Sequence, residues 1–145
     1  MQPKRIDHVA FWVAERDAVV EAILAELPWH LIERQDTFSL VGNDARGFKL
    51  TLCDAEGPRE LGSFSHVALR VSSGARAFDA GEGLRIELVL APGRHLDELD
   101  HIALRAHEPL AAAAEFARYG FRRLGTRAEA GNAWIELVGG DPRET

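Results

Sequence analysis

Ile6-Asp7-His8-Val9-Ala10, Phe64-Ser65-His66-Val67-Ala68 and Leu99-Asp100-His101-Ile102-Ala103 are three versions of one phrase. Each runs apolar, polar, histidine, β-branched, alanine, and each leads into an alternating stretch that reads as a β-strand. A phrase repeated in this way marks a repeated structural unit. Because histidine keeps one register in every copy, folding brings equivalent imidazoles near one another. Imidazole is the commonest transition-metal ligand in proteins, so His8, His66 and His101 are the first candidates for chemistry.

Around the first phrase the chain reads as βαβββ. Ile6 to Val13 alternates; Asp17 is placed to cap a helix with Val20, Ile23, Leu24 and Leu27 on one face, and Pro28 stops it. Apolar stretches follow at Trp29 to Glu33, Thr37 to Val41 and Phe48 to Cys53, with breakers at Gly42-Asn43-Asp44 and Arg46-Gly47. The third phrase repeats the plan. Leu99 to Ala106 is a strand, Pro109 opens a helix lined by Leu110, Ala113, Ala114 and Ala117, and Gly120 ends it. Two strands, Phe121 to Thr126 and Ala133 to Val138, come next. Leu137-Val138-Gly139-Gly140-Asp141 copies Leu40-Val41-Gly42-Asn43-Asp44, which aligns Glu136 with Ser39 on a third strand and leaves the unit without its fourth. The middle phrase is followed by a short link, Ser72 to Gly83, then by strand Leu84 to Leu90 and the breaker Pro92-Gly93.

The expected architecture is a single α+β domain over residues 1–145, with about nine strands. It holds a complete module at 5–55, a contracted one at 62–93 and an incomplete one at 98–140.

The totals narrow the function classes. A net charge of −6 argues against nucleic acid or an anionic membrane as the partner. No apolar run is long enough to span a bilayer, and the first residues do not read as a leader. The single cysteine, Cys53, makes no internal disulfide and sits in an apolar strand, which suits a reducing cytoplasm.

With Asp7-His8-Val9-Ala10, Ser65-His66-Val67-Ala68 and Asp100-His101-Ile102-Ala103 each opening a unit, the chain resembles the vicinal oxygen chelate superfamily. That superfamily includes glyoxalases, extradiol dioxygenases and bleomycin-resistance proteins. The resemblance implies paired βαβββ modules curled into a cup-shaped sheet, with metal ligands drawn from first-strand histidines and last-strand carboxylates. Carried onto this sequence, it implies a divalent ion (Fe, Mn, Ni, Co or Zn) held by His8, His66 and Glu87, or by His8, His101 and Glu87. Glu87 would then also serve catalysis. Thr51 occupies the position of a further ligand, and Glu136 is a weaker candidate on a third strand. Two imidazoles and a carboxylate leave room for two adjacent oxygens of a small substrate.

Arg70 and Arg105 stand four residues beyond their histidines on the same strand faces, where guanidinium groups suit an anionic substrate. Trp12 is placed to wall an apolar pocket. Each has a structural rival: surface ion pairs for the arginines, core packing for the tryptophan, a main-chain hydrogen bond for any strand histidine. His30, His95 and His107 read as exposed, and Tyr119 ends a helix. Nucleotide-loop, His-Glu-x-x-His, Cys-x-x-Cys and Gly-x-Ser-x-Gly signatures are absent. Two functions follow as expectations: a metal-dependent lyase, isomerase or dioxygenase, or a metal-free small-molecule (drug) binding protein of the same fold. A regulatory domain without chemistry is a third. The resemblance also implies a homodimer, favoured by the edge that a missing strand would leave.

Overall fold

The computed structural model describes residues 5–43, 47–55, 64–90 and 98–140. Asp44, Arg46, Pro92, Gly93, His95 and Asp141, singled out above, lie outside the described residues. The first unit is β1 (His8–Val13), α1 (Arg16–Glu26), β2 (His30–Arg34), β3 (Phe38–Gly42) and β4 (Lys49–Asp54). Its strands form a four-stranded sheet in the order β1-β4-β3-β2, with β1 and β4 parallel. Val19, Val20 and Ile23 bury one side of α1. No side chain of its own caps this helix; Glu82, from a distant turn, accepts hydrogen bonds from Ala14 N and Glu15 N at 2.7 and 2.9 Å. An acceptor here meets amide groups that a helix start leaves unpaired.

The second unit is β5 (Phe64–Val71), β6 (Arg76–Asp79) and β7 (Arg85–Leu90). The third is β8 (Leu99–Ala106), α2 (Pro109–Ala117), β9 (Arg122–Leu124), β10 (Arg127–Glu129) and β11 (Trp134–Gly139). Together they make a seven-stranded sheet in the order β6-β7-β5-β8-β11-β10-β9. In both units the first and last strands are parallel neighbours, as in the first unit. The repeated α+β plan expected from the sequence is therefore present.

Two details of the expectation are corrected. The third unit is not missing a strand: the stretch Phe121 to Thr126 holds β9 and a turn at Gly125 with φ 62°, and a further three-residue strand that the reading missed, β10, follows and pairs back on it. Glu136 accordingly lies on a last strand, not a third one. The link after β5 also holds a strand, β6, which pairs antiparallel with β7. β7 closes its own unit beside β5 rather than filling a gap in the third.

The main core joins both sheets. Ile23 from α1 and Val41, Leu50 and Leu52 from the first sheet pack with Val67, Leu69, Ile86 and Leu88 from the second. Ile86 and Leu90 share one face of β7, but Ile86, near the strand's start, is fully buried, whereas Leu90, at its end, is 58% exposed. Ile86→Ala should cost about 2–5 kcal/mol, and Leu90→Ala less than about 0.5 kcal/mol. Urea unfolding of the two variants checks the assignment, and equal losses would contradict it.

Candidate functional site

β5 and β8, the opening strands of the second and third units, run antiparallel with His66 opposite Ala103 and Ala68 opposite His101. Side chains alternate across a sheet, so both histidines rise from one face, about an approximate two-fold between the units. Their Nε2 atoms are 3.1 Å apart, with ring planes at 80°. On the outer side of each ring stands a carboxylate. Glu87 Oε2 is 3.1 Å from His66 Nδ1, and Asp100 Oδ2 is 2.8 Å from His101 Nδ1. Ser65 Oγ also reaches His66 Nδ1, at 3.2 Å.

An ionised carboxylate only accepts, so each Nδ1 donates its hydrogen outward, and a neutral ring then presents a bare lone pair at Nε2. Two such lone pairs 3.1 Å apart repel. A positive centre between the rings removes the conflict: either one shared proton, or a cation held by both nitrogens.

The support behind His101 is deep. Arg70 and Asp100 are both buried, and Arg70 Nε donates to Asp100 Oδ1 at 3.2 Å. Arg70 Nη2 donates to Asn132 O at 2.6 Å. Asn132 in turn exchanges two hydrogen bonds with Ile6, ahead of β1. Burial alone pushes the Asp100 carboxyl up, but its bonds from His101 and Arg70 outweigh this and hold it below the usual carboxylate value. For His66 burial acts first and lowers the imidazole; Glu87 opposes it, while His101, Arg85 and Arg105 add to the lowering. His66 therefore keeps a neutral ring at neutral pH.

The ring of His101 stacks on Trp134 at 4.9 Å and 18°, as their parallel register requires, and the Arg127 guanidinium covers Trp134 at 4.3 Å. Glu136 stands beside Ala103 as Glu87 stands beside Ala68, on the face of the two histidines. Arg127 Nε and Thr126 Oγ1 both donate to it.

Of the residues singled out from the sequence, the structure brings His66, His101 and Glu87 together. His8 is on the other sheet, half-exposed, with Nδ1 3.1 Å from Asp7 Oδ2. It makes no hydrogen bond, ion pair or ring contact with the three. Thr51 lies beside Ala10 on that same sheet. Trp12 is 60% exposed there, so it neither fills the core nor touches the histidine pair. Arg70 faces Asp100 and a main-chain carbonyl rather than a ligand, and Arg105 Nη1 donates to Phe64 O at 2.6 Å. His30, His107 and Tyr119 are exposed. Among the described residues no three of His, Cys, Asp and Glu converge on one point. Glu87 is the reason in this pair: it approaches His66 from the nitrogen that points away from His101. Sequence reasoning missed Asp100, Trp134 and Arg127. Only Asp100 had left a signal, the Asp-His step shared with Asp7-His8.

No protein-family model matches the sequence, and no curated protein matches it. Solved structures do. One, named a "putative dioxygenase" from Bacillus subtilis, superposes with a TM-score of 0.67 at 15% identity, covering 94% of this chain and 64% of that one. Another, the E144Q mutant of glyoxalase I from Zea mays, gives 0.67 at 15%, covering 93% of this chain and 68% of the other. The chain thus spans about two thirds of the length of these structures. The likeness is one of fold: the chain has a glyoxalase-like fold.

A folded His66 that resists protonation stabilises the protein fully above the ordinary histidine value of 6.5, and the contribution is lost as pH falls below it. Thermal melts between about pH 7 and pH 5 should show this loss, and His66→Gln should flatten part of it. Superimposable pH profiles for the two proteins would contradict the assignment.

Proposed function

We propose that this chain is a divalent-metal-dependent enzyme, a lyase, isomerase or ring-cleaving dioxygenase, acting on a small substrate through two adjacent oxygens. The observation that supports this reading is the pair of Nε2 atoms 3.1 Å apart, each ring backed by a carboxylate. Two neutral imidazoles at that spacing suit neighbouring ligands at about 2.1 Å from one ion of Fe, Mn, Ni, Co or Zn. Carboxylates on the far nitrogens are the usual means of orienting such ligands and raising their basicity.

In this reading His66 and His101 hold the ion, while Glu87 and Asp100 fix their rings. A metal bound there supplies Lewis acidity toward negative charge developing on a substrate oxygen. Glu87 is the assigned proton acceptor: its side chain is 32% exposed and ends on the histidine face of the sheet. Arg127 and Trp134 border a depression of about 330 Å³ that Asn132 and Glu129 also line. A planar or anionic group finds a cationic, aromatic wall there.

A second reading keeps the fold as a metal-free binder of a small molecule. A single proton shared between the two rings favours it, because that also resolves the repulsion. In either case a small molecule, not nucleic acid, is the partner. No helix among the described residues is long and apolar enough to cross a membrane; the unpaired Cys53 supports our placing the protein in the cytoplasm.

Equilibrium dialysis against Co(II) or Zn(II) separates the readings. Retained metal that His66→Ala and His101→Ala each abolish, and that Glu87→Ala and Asp100→Ala weaken about 10–100-fold, supports the enzyme. Binding that is absent in the parent protein, or unchanged in both histidine variants, overturns it.

A further inference from the structure

Four side chains with polar groups line the depression of about 330 Å³ beside the histidine pair: Arg127, Glu129, Asn132 and Trp134. Two of them are already committed. Asn132 Oδ1 accepts from Ile6 N at 2.6 Å, and its Nδ2 donates to Ile6 O at 3.0 Å. Glu129 Oε1 accepts from Arg122 Nε and Nη2 at 3.1 and 2.9 Å, so the charge of Glu129 is met. Arg127 uses only Nε, which donates to Glu136 Oε2 at 3.2 Å. Its two terminal nitrogens make no hydrogen bond with any described residue. Trp134 Nε1 is buried and likewise has no partner among the described residues. Leaving a buried donor unpaired is costly. The unspent hydrogen-bonding groups of Arg127 and Trp134 are all donors, and a ligand here must bring acceptors.

Strand order decides which acceptors fit. β11 lies between β8 and β10, so the indole of Trp134 has His101 on one face and Arg127 on the other. The ring centroids of His101 and Trp134 are 4.9 Å apart, and the Arg127 guanidinium carbon is 4.3 Å from the indole centroid. With both faces covered, no ring of a ligand stacks on Trp134. The ligand meets the end of the guanidinium instead, a planar fork of two nitrogens that matches the two oxygens of a carboxylate. The same stack sets the reach. Arg127 is only those two steps from His101, so one small molecule can touch the fork and the Nε2 pair together.

We propose that the small molecule taken by this site is a carboxylate. Its two oxygens lie on the terminal nitrogens of Arg127, and the rest of the molecule reaches past Trp134 to Nε2 of His66 and His101. Arg127 is the specificity-determining residue, and Trp134 Nε1, in the same lining, gains the acceptor it lacks. The inference rests on the small-molecule site proposed at the histidine pair and goes beyond it by naming the substrate class. It does not depend on metal there.

Titration of the metal-free full chain with sodium benzoate tests this, read from the indole N–H signals of the three tryptophans. Trp134→Phe identifies the Trp134 signal by its loss. Benzoate should shift that signal saturably and leave the other two in place. Benzamide keeps the ring but lacks the charge and one acceptor oxygen, and should bind about 10-fold more weakly. Arg127→Met keeps an apolar stem over Trp134 and should weaken benzoate about 10-fold or more. Arg127→Lys keeps the charge without the fork and should fall between the parent and Arg127→Met. The Trp12 and Trp29 signals, if unchanged, show that each variant is folded. Equal affinity for benzoate and benzamide, benzoate binding that survives Arg127→Met, or inorganic phosphate binding more tightly than benzoate would each overturn the proposal. Co(II) retention by the parent protein keeps the two readings apart. A chain that takes up benzoate but no Co(II) retains this carboxylate site and loses the metal enzyme; one that retains Co(II) and ignores benzoate does the reverse.

Discussion

The antiparallel pairing of β5 with β8 is the contact on which the rest of this molecule depends. It joins the second and third units into one seven-stranded sheet and sets two equivalent histidines on one face. A one-residue slip in that pairing would send every side chain of one strand to the opposite face. His66 would then lose His101, and Val67 and Leu69 would leave the core they share with the first sheet. Packing and chemistry thus constrain the same register.

Around this seam the charges are arranged asymmetrically. His101 is held from behind by a buried chain of Asp100, Arg70 and Asn132, whereas His66 is backed by Glu87, which water reaches. The buried side is suited to stay fixed, because removing Asp100 or Arg70 leaves a desolvated charge without its partner. The exposed side is open to exchange protons with water. An approximate two-fold in the backbone thereby carries two imidazoles of like exposure whose carboxylate partners differ, one buried and one open to water.

Much of this was legible in the residues, and the parts that were not have physical reasons. The repeated phrase and the alternating strands disclosed the units, since burial on one face demands that pattern. The phrase also made His8 equal to His66 and His101, which is true of its place within a unit but silent on which units share a sheet. Hairpin strands of three residues, such as β9 and β10, are too short for alternation to register, so the third unit read as incomplete and Glu136 fell on the wrong strand. Arg70 points up from the histidine face as expected. Alternation cannot tell, however, that a buried carboxylate and a main-chain carbonyl already occupy its guanidinium. Asp100 matters for the same reason: its role comes from burial, which the sequence records only as one polar letter beside a histidine.

The reciprocal hydrogen bonds between Ile6 and Asn132 join positions 126 residues apart. A chain emerging from the ribosome in order presents Ile6 first and Asn132 among the last of the described residues. The start of β1 therefore waits, while the residues between are made, for the turn that fastens it. Contacts of such long separation form late and slow folding. During that interval the aromatic face of β1 is open to neighbouring nascent chains, so the spacing of two residues along the sequence sets how long that strand stays unfastened.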